Sequence, residues 1–366
     1  MKTTHAHTSL LTRGLRLVSV GFFGVIAVIA PLRSAHADGI PLALADDFAN
    51  YGGPYAPAEA HFEGDLAVIS GLITLRSYDP DDWVEGLVIG AVPEGLEPVE
   101  RVRFNLDQHA ETATVDVTPE GDIIYLGGGD PDYRWLSLSG IVYATLPASE
   151  QSSISLSAPK LTGVSGFQAA RYHAEGDLIS VGGMVRFPSP TYWSWYTGDV
   201  IARITGGACP SKRLIFTVSN GHSDARVDIT EGCDIVFVDG NPEAPAGSWA
   251  SLSGLTFSRA STPLEPCPGV ENYAKGNYQG LSYGREGQLV TLSGLVERTD
   301  GDWVSGDVIG VLPEEHAPAK RLIFSVNQHG RTARVDVHPN GNIEYVKGDS
   351  ARSWLSLSGI VFAAGD

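Results

Sequence analysis

Positive charge is in short supply in this chain. Its 366 residues carry 25 Lys and Arg against 43 Asp and Glu, a formal net charge of −18. Four of the basic residues, Lys2, Arg13, Arg16 and Arg33, lie in the first 37, which hold no acid, so the remainder stands at −22. A surface this acidic repels phosphate backbones and anionic lipid heads, which argues against nucleic-acid binding. After Leu32 no apolar run is long enough to cross a bilayer. There is no glycine-rich phosphate loop and no Gly-x-Ser-x-Gly elbow. His173, His316 and His338 show no metal-ligand spacing, so no zinc site is read from the sequence. No segment has a convincing amphipathic helical period. Catalysis is therefore poorly supported, and a non-enzymatic role is expected.

What is present begins with the N-terminus. A basic stretch ends at Arg16, an apolar run follows from Leu17 to Leu32, and Ala35-His36-Ala37 supplies a small-x-small cleavage site. Residues 1–37 read as a secretory signal. The run falls short of the roughly 20 residues of a spanning helix, and no cysteine follows it to carry a lipid. The expected location is secreted, extracellular or periplasmic, with no membrane insertion after cleavage. All three cysteines, Cys209, Cys233 and Cys267, lie in the exported part, where a disulfide can form.

The main finding is a repeat. Trp135-Leu-Ser-Leu-Ser-Gly140, Trp249-Ala-Ser-Leu-Ser-Gly254 and Trp354-Leu-Ser-Leu-Ser-Gly359 recur in step with other landmarks. These are a glycine in an apolar strand (Gly71, Gly183, Gly294), a Trp three before a Gly (Trp83, Trp195, Trp303), and an Arg three before a Phe (Arg101, Arg213, Arg321). The fourth is an Asp within a Val-Asp-Val or Val-Asp-Ile strand, Asp116, Asp228 and Asp336, spaced 112 and 108 residues apart. A period near 110 is the size of a domain. The reading is a loose segment at 38–47, repeats at 48–145, 161–258 and 270–366, and Ser/Pro-rich linkers at 146–160 and 259–269.

Within a repeat the apolar period is two. Leu322, Phe324 and Val326 alternate with Arg321, Ile323 and Ser325, and Ala333, Val335 and Val337 alternate with Arg334, Asp336 and His338. Pro339-Asn340-Gly341-Asn342 marks a tight hairpin turn. Seven or eight strands per repeat predict an all-β fold of three tandem antiparallel β-sandwich domains of jelly-roll type. Cys209 and Cys233 flank the open end of one hairpin, so they are the expected disulfide pair, leaving Cys267 free or intermolecular.

Positions held in all three copies serve the fold more readily than positions special to one. The repeated tryptophans read as core, with a sugar-stacking platform as the alternative for Trp83, Trp195 and Trp303. The repeated aspartates read as ion-pair partners of Arg101, Arg213 and Arg321. Trp193 has no counterpart, and with Tyr192 and Tyr196 it forms an aromatic loop suited to a ligand or a domain interface. The hairpin tips Gln108-His109 and Gln328-His329 are further ligand-binding candidates, or plain solvated turns. Acidic loops around Asp79, Asp130 and Asp239 leave calcium open as a cofactor, though none matches a defined calcium loop.

The repeated order of an apolar strand ending in Leu-Ser-Gly, then Gly-Asp-Val-Ile-Gly-Val-Leu-Pro, then Arg-Leu-Ile-Phe resembles head domains of phage tail-fibre and receptor-binding proteins. The third copy carries it at Thr291–Leu295, Gly306–Pro313 and Pro318–Phe324, and the first at Ile69–Leu72, Gly86–Pro93 and Pro98–Phe104. The second departs, with Ile204-Thr205-Gly206 in place of Leu-Pro. The resemblance implies a compact sandwich that trimerises and binds surface saccharide, so three copies in one chain would form an intramolecular pseudo-trimer. The matching residues are framework, and no binding residue carries over. A secretory signal is unlike a phage protein and points to cellular use of the domain. The expected function is recognition of a carbohydrate or cell-surface ligand, with a surface glycan or extracellular protein as partner. A structural or matrix protein and a secreted β-sandwich hydrolase are the alternatives.

Overall fold

The computed structural model describes residues 39–77, 83–157, 161–186, 196–220, 223–240, 249–273, 275–351 and 353–365. All fall within one compact unit spanning 35–366. The fold is all-β and its strand pairings within sheets are antiparallel. The sole helical element among the described residues is a single 3-10 turn, Glu314–His316.

Three separate hydrophobic cores form, centred on residues 42–143, 154–257 and 270–364. Around each, the same four-strand meander appears. In the first unit it runs Val88–Ala91, Asp122–Gly128, Glu111–Val117, Val102–Gln108 across the sheet. The equivalent order in the third is Asp307–Val311, Asn342–Lys347, Arg331–Val337, Leu322–Gln328. In the second unit the meander joins the opposing strands through bridges, so eleven strands form one curled sheet. Strands Val102–Gln108, Leu214–Asn220 and Leu322–Gln328 share one burial pattern along their seven residues, as a strand covered on both faces should.

The repeated glycine now has a reason. Gly71, Gly183 and Gly294 take φ of +115°, +103° and +120° between two strands that belong to opposing layers. A Cβ at Gly71 would sit 2.0 Å from the Pro57 carbonyl oxygen, so the chain crosses layers where only glycine fits. The Ser-Leu-Ser-Gly motif completes this corner. Its second serine accepts the glycine N–H: Gly71 to Ser139 at 3.3 Å, Gly183 to Ser253 and Gly294 to Ser358 at 3.4 Å.

The first serine of the motif stitches units together. Ser137 Oγ donates to the Ile323 carbonyl at 2.7 Å, Ser251 to Arg103 at 2.7 Å, and Ser356 to Ile215 at 2.8 Å. These link first to third, second to first, and third to second unit, which closes a ring. Arginine–aromatic contacts follow the same ring. Arg103 lies over Trp249, Arg226 over Trp354 and Arg334 over Trp135, at 4.7, 5.0 and 5.1 Å. Ala56 of the first unit packs into the third core. Leu66, Leu178 and Leu289, one from each unit, meet in a shared apolar cluster.

Each strand aspartate is buried between two arginines. Asp116 binds Arg103 at 2.5 Å and Arg101 at 3.6 Å; Asp228 binds Arg213 at 2.6 Å and Arg226 at 2.8 Å; Asp336 binds Arg321 at 2.5 Å and Arg334 at 2.7 Å. The sequence pairing anticipated one arginine per aspartate. The second is the one that reaches across to the neighbouring tryptophan, so Trp135, Trp249 and Trp354 serve junctions between units. Trp83 and Trp303 are core residues, each donating its Nε1–H to a carbonyl, of Tyr133 at 3.1 Å and of Ser353 at 2.9 Å. That removes them as a sugar platform.

The segments read as loose or as linkers hold strands, two at sheet edges and one, Ser152–Leu156, that joins Val200–Ile204 to Arg171–Glu175 within the curled sheet. Ile40–Pro41 pairs with Glu59–Glu63, Ser152–Leu156 with Val200–Ile204, and Thr262–Pro263 with Ser282–Glu286. Pro41 and Pro263 suit the two edge positions, where a missing N–H faces solvent. The disulfide joins Cys209 and Cys233 with Cα atoms 4.8 Å apart, and Cys267 is free.

Candidate functional site

The three central hairpins bring their tips to one end of the ring. In the first, Gln108 pairs with Glu111 across the two-residue loop His109-Ala110; in the third, Gln328 pairs with Arg331 across His329-Gly330. Both loop residues have positive φ, the geometry of a type I′ turn. Side chains stabilise this uncommon conformation for histidine. Asp107 accepts the Ala110 N–H at 3.1 Å and Asn327 accepts that of Gly330 at 3.1 Å. His109 stacks on Tyr133 at 3.8 Å and His329 on Trp354 at 3.9 Å. Gln108 and Gln328 are fully buried: Gln108 donates to the Tyr133 carbonyl at 2.9 Å, and Gln328 accepts the Asp349 N–H at 2.9 Å. The two glutamines therefore brace the tips from inside. Burial, with Lys347 and Arg334 close by, holds the His109 imidazole below its ordinary pKa.

Where the tips converge lies a cleft of about 750 Å³. Glu111 comes from the first unit, Ser223, Asp224 and Asp239 from the second, and His329, Arg331, Thr332, Lys347 and Asp349 from the third. Asp224 joins all three units. Its carboxylate accepts from Asn105 at 2.9 Å and lies within hydrogen-bond distance of the hydroxyls of Thr112, at 2.7 Å, and Thr332, which are themselves 2.7 Å apart. Burial raises the Asp224 pKa, against the three donors that lower it. Asp239 lies so close to Gly330 that a Cβ there would stand 2.7 Å from its Oδ2.

Tyr196 is 68% exposed on the turn before Val200–Ile204. Its neighbour Thr197 donates to the Val238 carbonyl at 2.7 Å, one residue before cleft-lining Asp239, so Tyr196 belongs to this end of the second unit. Trp193 and Tyr192 lie outside the described residues.

Strand register gives a direct comparison of the copies at the cleft. Equivalent positions read Glu111, Ser223, Arg331; Thr112, Asp224, Thr332; and Gly127, Asp239, Lys347. The framework residues match while these differ in charge. The sequence held this signal, since Asp224 and Lys347 are where the repeats diverge, but only the register of the hairpins shows that the divergent positions share one cleft. No protein-family profile, no curated protein and no solved structure matches the chain.

Proposed function

We propose that the chain is a secreted, non-enzymatic binding protein, folded as an intramolecular trimer, that recognises a surface saccharide at the tip cleft. The observation that carries this reading is where the copies diverge. Three units that keep the same corners, buried strand aspartates and stitching serines differ in charge along the cleft wall, so the chain presents one cleft of mixed charge rather than three equal ones. The cleft is one asymmetric site per chain, with Asp239, Lys347, Arg331 and Glu111 offering both donors and acceptors to hydroxyl groups, and Tyr196 exposed at the same end of the second unit. The signal-like N-terminus and the disulfide support an oxidising compartment outside the cytosol.

A glycan-array screen of the mature chain tests this, run with calcium and with chelator beside an Asp239→Ala/Lys347→Ala variant. The reading expects specific binding that the double variant loses while its melting temperature holds. No binding in either condition overturns it.

One observation favours a second reading, a protein-interaction or matrix role. Val84, Tyr196 and Val304 follow the repeated tryptophan in each copy and are 53%, 68% and 62% exposed, an apolar group presented three times.

A further inference from the structure

The end of the ring remote from the hairpin tips carries a different set of contacts. There each unit turns into its apolar strand through Glu63-Gly64-Asp65, Glu175-Gly176-Asp177 or Glu286-Gly287-Gln288. Each glutamate accepts a backbone N–H from the turn of a neighbouring unit. Gln288 donates to Glu63 at 3.1 Å, Asp65 to Glu175 at 3.4 Å, and Asp177 to Glu286 at 3.0 Å.

The three junctions share this framework but differ in charge. Where the first unit meets the third, the facing turn offers neutral Gln288. Where the third meets the second, Asp177 pairs with Arg259 at 3.0 Å. Where the second meets the first, Asp65 and Glu175 face each other, and among the described residues neither forms an ion pair with Lys or Arg. An imidazole joins them instead. His173, 13% exposed, has Nε2 3.4 Å from Glu175 Oε2, and one ligand atom from each of Asp65, His173 and Glu175 lies within 4.8 Å of the others. The equivalent histidine of the first unit, His61, turns to Glu59 at 3.3 Å. The second unit has Arg171 at that place, which accepts nothing, so His173 turns to Glu175.

We propose that Asp65, His173 and Glu175 bind one divalent transition-metal cation, zinc by preference, which ties the first unit to the second. Imidazole with carboxylates suits zinc and its first-row neighbours, whereas calcium and magnesium take oxygen ligands. Bonds of about 2.0–2.1 Å in a tetrahedron place ligand atoms about 3.3 Å apart, which the His173–Glu175 pair already matches. A dication balances the two carboxylates, and water completes the shell. The ligands stand 108 and 110 residues apart in sequence, from 65 to 173 and 175, so no linear spacing announces them.

The test is calorimetric titration of the metal-stripped mature chain with zinc, calcium and magnesium, alongside thermal unfolding. Asp65→Gln and His173→Gly install the residues the chain itself carries at the equivalent Gln288 and Gly284, so both are compatible with the fold. One zinc per chain is expected, with a raised melting temperature and a loss of roughly 100-fold or more in affinity in either variant. The His61→Gly variant keeps wild-type affinity. Zinc binding that survives both ligand variants, that falls as far in His61→Gly, or that is matched by calcium overturns the assignment.

Discussion

Asp107 is a buried acid that the fold would do better without at neutral pH. Its carboxyl is fully buried at the first hairpin tip, and burial pushes its pKa from 3.8 up to about 7, against the pull of Arg334 and the Ala110 N–H. Between those two values the folded state holds a proton that the unfolded chain has released. Stability contributed by this group is therefore present at low pH and lost as pH rises from about 4 through about 7. A shift of about 3 units sets a ceiling near 4 kcal/mol on that loss above pH 7. Asn327 occupies the same place in the third unit and caps the same turn without a charge. Asp107→Asn should keep the turn's hydrogen bond and remove the penalty. Urea unfolding at pH 5 and pH 8 checks this: the variant should gain about 1–4 kcal/mol over the parent at pH 8 and much less at pH 5. A variant no more stable than the parent at pH 8, with the parent's pH dependence intact, refutes the reasoning.

Asp228→Ala leaves Arg213 and Arg226 without the carboxylate they share, and should cost about 3–5 kcal/mol in urea unfolding; a loss below 1 kcal/mol would contradict a buried, doubly paired carboxylate. Ser356→Ala strands the buried Ile215 carbonyl at the junction of the second and third units, an expected cost of about 1–3 kcal/mol by the same assay. Cys233 takes φ of +70° where the other copies have Gly121 and Gly341. Cys209→Ala/Cys233→Gly should therefore lose roughly 3 kcal/mol of loop constraint yet stand about 1 kcal/mol above Cys209→Ala/Cys233→Ala, as thermal melts would read. Gly71→Ala forces a Cβ into the Pro57 carbonyl; failure to accumulate as soluble protein is expected, and a normal yield with an unchanged melt would show that the corner relaxes.

Much of the framework was legible in the sequence because it recurs. The alternation at Leu322–Val326, the Asn340-Gly341 turn and the Cys209–Cys233 pairing all depend on neighbours along one hairpin, which a linear reading captures. The roles of Trp135, Trp249 and Trp354 were not, because their partners Arg334, Arg103 and Arg226 sit on other units, and burial against a neighbour leaves the same apolar signature as burial in a core. The strand Ser152–Leu156 escaped for a related reason: a largely exposed strand needs no apolar alternation, and its serines read as linker. At the tips, Gln108 and Gln328 looked like solvent-facing polar groups. They turn inward because the loop packed beside each tip presents a backbone group that needs a partner, the Tyr133 carbonyl and the Asp349 N–H. The Asp224 junction and the Asp65–His173–Glu175 cluster depend on closure of the ring, which no local pattern encodes.

The most direct test of the account is to count saccharide sites on the mature chain, by calorimetric titration with glycans retained on an array. The account predicts one site per chain, abolished by Asp239→Ala/Lys347→Ala. Three equal sites per chain would move recognition to the outer turns that repeat in every copy, and no saccharide bound at all would contradict the tip cleft as a glycan site.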